Sequence, residues 1–152
     1  IHTFGKAMGC HGAVVLGSHD LRDYLINFSR SFIYTTAASL HSVATIQASY
    51  IELKKTGTIK KLKSNIQYFK EGIIVYNLTS KFIESSSAIH CCIIPGNDMA
   101  KTFALSLQEK GFDIKPILSP TVPAGKERLR ICLHSYNTHK EIDGLLTLLS
   151  TL

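Results

Sequence analysis

The sequence predicts a mixed fold, α/β in its first part and a compact α+β unit at its end. Three observations carry this. Residues 81–152 run strand, helix, strand, strand, helix, the order of a small α+β unit. Residues 59–78 keep a three-four apolar spacing through Ile59, Leu62, Ile66, Phe69, Ile73 and Tyr76, so one long helix connects the two parts. The first half offers helices but too few strands to close a sheet of its own. The chain accordingly divides at 1–56, 57–80 and 81–152.

Taken in order, residues 12–17 (Gly-Ala-Val-Val-Leu-Gly) form a short apolar run between glycines, which reads as a buried strand. Ser18 or His19 then opens a helix, on which Leu21, Tyr24, Leu25 and Phe28 line one face. Residues 31–36 are aromatic and β-branched and read as extended. A second helix fits residues 39–55 and stops at Gly57. The connecting helix follows, with Gly72 as its one weak point.

In the last part, Ile89 to Ile94 reads as a strand ended by Pro95-Gly96. A helix over 98–110 carries Ala100, Phe103, Ala104 and Leu107 on one face and closes at Gly111. A short strand near Ile114 leads to a proline-rich loop, residues 116–125. Residues 128–134 then alternate: Leu129, Ile131 and Leu133 face one way, Arg128, Arg130, Cys132 and His134 the other. Thr138 and Glu141 have the spacing of a capping box, before a helix with Ile142, Leu145, Leu146 and Leu149 on its apolar face.

Composition narrows the function classes. Of 152 residues, 45% are hydrophobic and 18% charged, which suits a globule and not a disordered tail. The net charge of +6 can attract an anionic ligand. Lys54, Lys55, Lys60, Lys61 and Lys63 cluster around a Thr-Gly break without interleaved aromatics, the pattern of a solvated helix end and not of a nucleic-acid groove. No apolar run approaches a membrane span, so no membrane partner is expected. Cys10, Cys91, Cys92 and Cys132 form no CxxC pair, which points to a reduced, cytoplasmic protein and to no metal site. His90 and His134 lie on expected strands and read as satisfied structural histidines. The chain opens on Ile1 without an initiator Met, and reads like a piece of something longer.

The residues with chemistry to offer stand at the two ends. Thr3-Phe4-Gly5-Lys6-Ala7-Met8-Gly9 sets a lysine among small, flexible residues after a hydroxyl residue. Glycines permit a tight turn and close approach of a ligand. A desolvated lysine so placed has a lowered pKa and a nucleophilic amine. Arg128 and Arg130 share a strand face, and spacing alone leaves open which of them, if either, binds a ligand.

Three stretches in register resemble the α-oxoamine synthases, pyridoxal-phosphate enzymes of fold type I, the aspartate aminotransferase kind. The first is Thr3-Phe-Gly-Lys-Ala-x-Gly9 followed by the Gly-Ala-Val-Val-Leu run. The second is Phe32-Ile-Tyr-Thr-Thr-Ala37. The third is Pro120-Thr-Val-Pro-x-Gly-x-Glu-Arg-Leu-Arg130. After Ala37 the sequence departs from the family, with Ala38-Ser39-Leu40-His41 where a proline pair is frequent.

The resemblance implies that residues 1–56 belong to the large, cofactor-binding domain and 81–152 to a small α+β domain with a mainly antiparallel sheet. It implies pyridoxal 5'-phosphate as cofactor, with Lys6 holding its aldehyde and, when free, moving the proton at the substrate α-carbon. Thr3 would bind the phosphate. Thr35, and with it Thr36, would bind the phosphate of the partner subunit's cofactor, so a homodimer is expected. Arg130 would grip the amino-acid carboxylate through paired N–H bonds, a geometry that guanidinium supplies and ammonium does not.

The substrates implied are an amino acid and an acyl-coenzyme A. The run Leu133-His-Ser-Tyr-Asn-Thr138 favours the branch that condenses L-alanine with a pimeloyl thioester for biotin. Glycine C-acetyltransferase chemistry is the alternative within the family, and a non-enzymatic α+β interaction module the alternative outside it. Family members also need a long segment before the lysine, so these 152 residues alone are not expected to catalyse the condensation.

Overall fold

The computed structural model describes residues 1–151, which form two compact units, 1–56 and 57–151. Each follows from its own sequence pattern.

The first unit begins with a hairpin. Strand β1 (His2–Thr3) pairs antiparallel with β2 (Ala13–Val14), and the Phe4 N–H donates to the Gly12 carbonyl at 2.9 Å. Three helices follow: α1 (His19–Phe28), α2 (Arg30–Ile33) and α3 (Leu40–Lys55). Ser18 caps α1 and Ser39 caps α3, each hydroxyl accepting from a backbone N–H in the first turn. The glycine-flanked run is shorter and more open than its pattern suggests. Only Ala13 and Val14 pair, and Val15 and Leu16 are exposed, because within this unit nothing packs over them.

Residues 31–36 are not extended. The Phe32 and Ile33 N–H groups both donate to the Ser29 carbonyl at 2.9 Å, winding a single helical turn, after which the chain bends at Thr35. β-propensity measures fit to a neighbouring strand. No strand lies beside this segment among the described residues, so local hydrogen bonds decide its shape.

The second unit opens with α4 (Thr58–Val75), whose residues Phe69 and Ile73 are buried as the spacing predicts. A 3₁₀ turn (Thr79–Lys81) leads to β3 (Phe82–Ile83), and then come β4 (Ile89–Ile93), α5 (Asn97–Glu109), β5 (Lys115–Ile117), β6 (Arg128–Cys132) and α6 (His139–Leu149). The four strands form one antiparallel sheet in the order β3-β4-β6-β5. On β6, Leu129 and Ile131 are buried, as is Leu133 just beyond it, whereas Arg130 and Cys132 are exposed, so the sequence alternation is the structural one.

Helices and sheet enclose one core centred on Phe69, Leu107, Leu129, Leu146 and Leu149, all at most 1% exposed. Burying each such side chain contributes about 1.5–3 kcal/mol. Gly72, the apparent weak point of α4, is where α6 comes in: a Cβ there would run into Leu146 Cδ1. The capping box forms as predicted, with the Glu141 N–H on Thr138 Oγ1 (3.2 Å) and the Thr138 N–H on Glu141 Oε2 (2.7 Å). No helix among the described residues is long and apolar enough to cross a membrane.

Candidate active site

In the first unit the hairpin presents Lys6 at its tip. The Gly9 N–H closes a tight turn on the Lys6 carbonyl and the Cys10 N–H bonds the Phe4 carbonyl, both at 2.9 Å. Gly9 has φ +62°, a left-handed conformation that glycine adopts without strain. Two side chains root the turn. Phe4 is buried edge-on against Tyr50 of α3, at 6.2 Å between ring centres. Cys10 is also buried, its Sγ 3.0 Å from Ser49 Oγ.

The hydrophobic residue before Gly5 and the cysteine after Gly9 therefore fasten the loop to α3 and leave the lysine standing out. Lys6 is exposed, and its amine has no hydrogen-bond or ion-pair partner among the described residues. The desolvated lysine that the sequence allowed is thus not what this unit provides. Thr3 is two residues before Gly5 on β1, exposed and in the same hairpin. Thr35 and Thr36 lie together in the exposed bend and coil after α2.

In the second unit Arg130 stands on the open face of β6, opposite Cys91 of β4 and Lys115 of β5. It makes no ion pair among the described residues, while Lys115 is held by Asp113 at 2.7 Å. Arg128 shares the face and donates from Nε to the Lys126 carbonyl (2.9 Å). Arg128 thus spends its Nε on its own backbone, while the Arg130 side chain has no hydrogen-bond or ion-pair partner among the described residues. A cavity of about 620 Å³ lies beside Arg130, with Lys115, His134 and Tyr136 also on its wall.

The strand that carries Arg130 is pinned at both ends by buried polar residues that the sequence pattern did not reveal. At its start Glu127 is 3% exposed, and its Oε2 accepts from the Gly96 N–H at 2.8 Å. Backbone N–H groups, that of Gly96 foremost, hold its carboxyl below the usual carboxylate range. At its end Asn65 of α4, also 3% exposed, donates to the carbonyls of His134 and Asn137, both at 2.9 Å. A lone polar residue in a helical or loop pattern gives no sign of such a partner far along the chain.

His90 corrects a reading. It is buried and structural, with its ring 4.8 Å from Phe69, but it is not fully satisfied: among the described residues Nε2 has no hydrogen-bond partner. Burial first, and then the Lys70 charge, push its pKa down. His134 is exposed beyond the end of β6, stacked on Tyr136. All four cysteines are free, and among the described residues no three His, Cys, Asp or Glu side chains cluster to hold a metal. The clustered lysines are exposed on the last turn of α3 and the first turns of α4.

The donor set can be tested against an aldehyde-bearing phosphate. The first unit offers a primary amine without a partner among the described residues, for the aldehyde, and a hydroxyl on the same hairpin, for the phosphate; taken by itself, the second unit offers a guanidinium without an ion pair among the described residues, for a carboxylate. These chemistries fit pyridoxal phosphate and an amino acid.

Residues 1–149 match the family described as aminotransferase class I and II, and the chain belongs to it. Among its relatives is 8-amino-7-oxononanoate synthase of Emericella nidulans, 42% identical over 99% of this chain and 38% of that protein. The enzyme of the same name from Serratia proteamaculans is 37% identical over 97% of this chain and 38% of its own length. The crystal structure of 8-amino-7-oxononanoate synthase from Francisella tularensis superposes with a TM-score of 0.78 at 29% identity, covering 98% of this chain and 43% of that one. Serine palmitoyltransferase of Sphingomonas wittichii shares the fold, with a TM-score of 0.80 at 24% identity over 98% of this chain and 38% of that one. The chain thus spans about two fifths of the length of the curated relatives it matches.

Proposed function

We propose that the protein is a pyridoxal-phosphate-dependent α-oxoamine synthase of biotin synthesis. It would condense an amino acid, L-alanine by preference, with an acyl-coenzyme A, a pimeloyl thioester by preference, releasing carbon dioxide, coenzyme A and an α-amino ketone. The observation that carries this reading is the similarity to 8-amino-7-oxononanoate synthases across almost the whole chain. The protein would be cytoplasmic and act as a homodimer, without nucleic acid or membrane as partner.

Pyridoxal phosphate, when bound, supplies an aldehyde for an amine and a ring that accepts the electrons of the breaking bond at the amino-acid α-carbon. The chain's own residues do the rest. Lys6 Nζ would hold the cofactor's aldehyde and would move the proton at the substrate α-carbon. The Thr3 hydroxyl would bind the phosphate. Thr35 and Thr36 would bind the phosphate of the partner subunit's cofactor. Arg130 fixes the substrate carboxylate with two parallel N–H bonds, which sets the orientation of the α-carbon bonds. Domain roles follow the same line: residues 1–56 serve the cofactor, 57–80 connect, and 81–152 bring the carboxylate clamp.

The test is made on the full-length protein. Titrating it with pyridoxal phosphate should give a visible absorption band of lysine-bound cofactor, and Lys6→Ala should abolish it. Coenzyme A release should then be faster with alanine than with glycine. A band that survives Lys6→Ala would remove Lys6 from its role. Preference for glycine would move the protein to the acetyltransferase branch.

A further inference from the structure

The hairpin connection between β5 and β6 is ten residues long, Leu118 to Glu127. Connections of that length are ordinarily mobile unless something holds them. Here two adjacent residues at the exit of β4 hold both ends. Asn97, at the start of α5, exchanges a pair of hydrogen bonds with Ser119. The Ser119 N–H donates to Asn97 Oδ1 at 2.9 Å, and Asn97 Nδ2 donates to the Ser119 carbonyl at 3.3 Å. Gly96 holds the other end, its N–H donating to Glu127 Oε2 at 2.8 Å, while the Ile94 N–H donates to the Glu127 carbonyl at 2.8 Å.

Between the pins the loop closes on itself, Val122 N–H to the Leu118 carbonyl (3.2 Å) and Lys126 N–H to the Pro123 carbonyl (3.0 Å). A buried carboxylate left without donors is costly, so Glu127 fixes the Gly96 backbone as firmly as that backbone fixes Glu127. Arg130 follows three residues later, on β6, in register with Lys115 and Cys91. The β4–α5 turn thereby sets where the loop ends and where the arginine strand begins.

We propose that Glu127 and Asn97 are positioning residues for substrate recognition. They hold the 118–127 loop and the start of β6 so that Arg130 meets the amino-acid carboxylate in one fixed geometry. The proposal rests on the reading of Arg130 as the carboxylate clamp, and its test separates the two. In the full-length protein, hydrogen exchange of the 118–127 amides and steady-state kinetics are measured for Asn97→Ala, Asn97→Asp, Glu127→Gln and Arg130→Ala.

Asn97→Ala should speed exchange at Ser119 and its neighbours by about ten-fold, and raise the KM for the amino acid by a similar factor, with kcat little changed. Asn97→Asp keeps the acceptor for the Ser119 N–H but loses the donor to the Ser119 carbonyl, and should recover part of both effects. Glu127→Gln keeps one acceptor oxygen for the Gly96 N–H but loses the charge and the second oxygen, and should loosen the 124–127 end in the same direction by a smaller factor. Unchanged exchange in both Asn97→Ala and Glu127→Gln overturns the pins. Faster exchange with an unmoved KM overturns the positioning role. Arg130→Ala with an unmoved KM shows that the clamp reading has failed and takes the positioning role with it, while the exchange data still show whether the pins exist.

Discussion

Gly72 of α4 sits so close to Leu146 of α6 that a Cβ on the glycine would run into Leu146 Cδ1. A glycine inside a helix normally weakens it by about 1 kcal/mol against alanine, so on helix propensity alone Gly72→Ala should stabilise. Packing decides otherwise. Leu146 is fully buried, so shifting its methyl displaces the side chains around it, and overpacking of a filled core costs about 1–3 kcal/mol. Gly72→Ala should therefore lower stability by about 1 kcal/mol in denaturant unfolding, with an unchanged m-value. In a Leu146→Ala background the same substitution should be neutral or better, because the cavity takes the new methyl. Equal costs in both backgrounds would place the clash elsewhere.

His90 gives the second unit a pH dependence whose direction follows from its surroundings. Burial and the Lys70 charge lower its folded pKa, with a Ser87 backbone bond partly opposing them, and its Nε2 is orphaned. The unfolded chain titrates near the ordinary histidine value of about 6.5. Below that pH the unfolded state takes up a proton that the folded state refuses, so stability falls as pH drops, and the fall ends below the folded pKa. Above about pH 6.5 both states are neutral and the effect vanishes. Unfolding curves from pH 7.5 down to 5.5 should therefore show a loss that His90→Phe reduces. The same slope in wild type and variant would clear His90 of the effect.

These two sites show what the sequence holds and what it does not. The Phe69–Ile73 stripe, the Leu129–Ile131–Leu133 alternation and the Thr138–Glu141 box are legible, because periodicity and capping are local. The roles of Gly72, Glu127 and Asn65 are not, since each is set by a partner between 31 and 74 residues away. Residues 31–36 differ from their pattern for a related reason: an aromatic and β-branched composition needs a neighbouring strand, and a single helical turn forms from Ser29 instead. Strand β3 is only two residues long and half exposed, too little to show as a pattern. The anchoring of the Lys6 loop by Phe4 and Cys10 is not legible either, because its partners Tyr50 and Ser49 lie far along the chain on α3.

The capping box of α6 offers a local test of stability. Thr138 Oγ1 accepts from the Glu141 N–H, and Glu141 Oε2 accepts from the Thr138 N–H, which holds the Glu141 carboxyl below its ordinary range. Thr138→Ala should cost about 0.5–2 kcal/mol, the usual worth of an N-cap. The carboxylate's share is present above the ordinary glutamate pKa and is lost as pH falls through the lower folded value. The stability gap between wild type and Glu141→Gln should accordingly narrow in acid. A gap that widens there would contradict this sign.

Arg130 carries the prediction with the sharpest chemical content. It stands on the open face of β6 without an ion pair among the described residues, while Arg128 on the same face spends its Nε on the Lys126 carbonyl. If Arg130 clamps the amino-acid carboxylate, a fork of two parallel N–H bonds is what matters, and charge alone does not replace it. Arg130→Lys keeps the charge and loses the fork. Hydrogen bonds to a charged group are worth about 1.5–3 kcal/mol each, so losing one should raise the amino-acid KM by about 10- to 100-fold. Arg128→Lys should leave KM within about three-fold, since its surviving charge still faces the same side of the sheet. Both ratios are read from initial rates of coenzyme A release at varied amino acid, with acyl-coenzyme A saturating. A larger effect at position 128 than at 130 would exchange the two roles and move the clamp one step along the strand face.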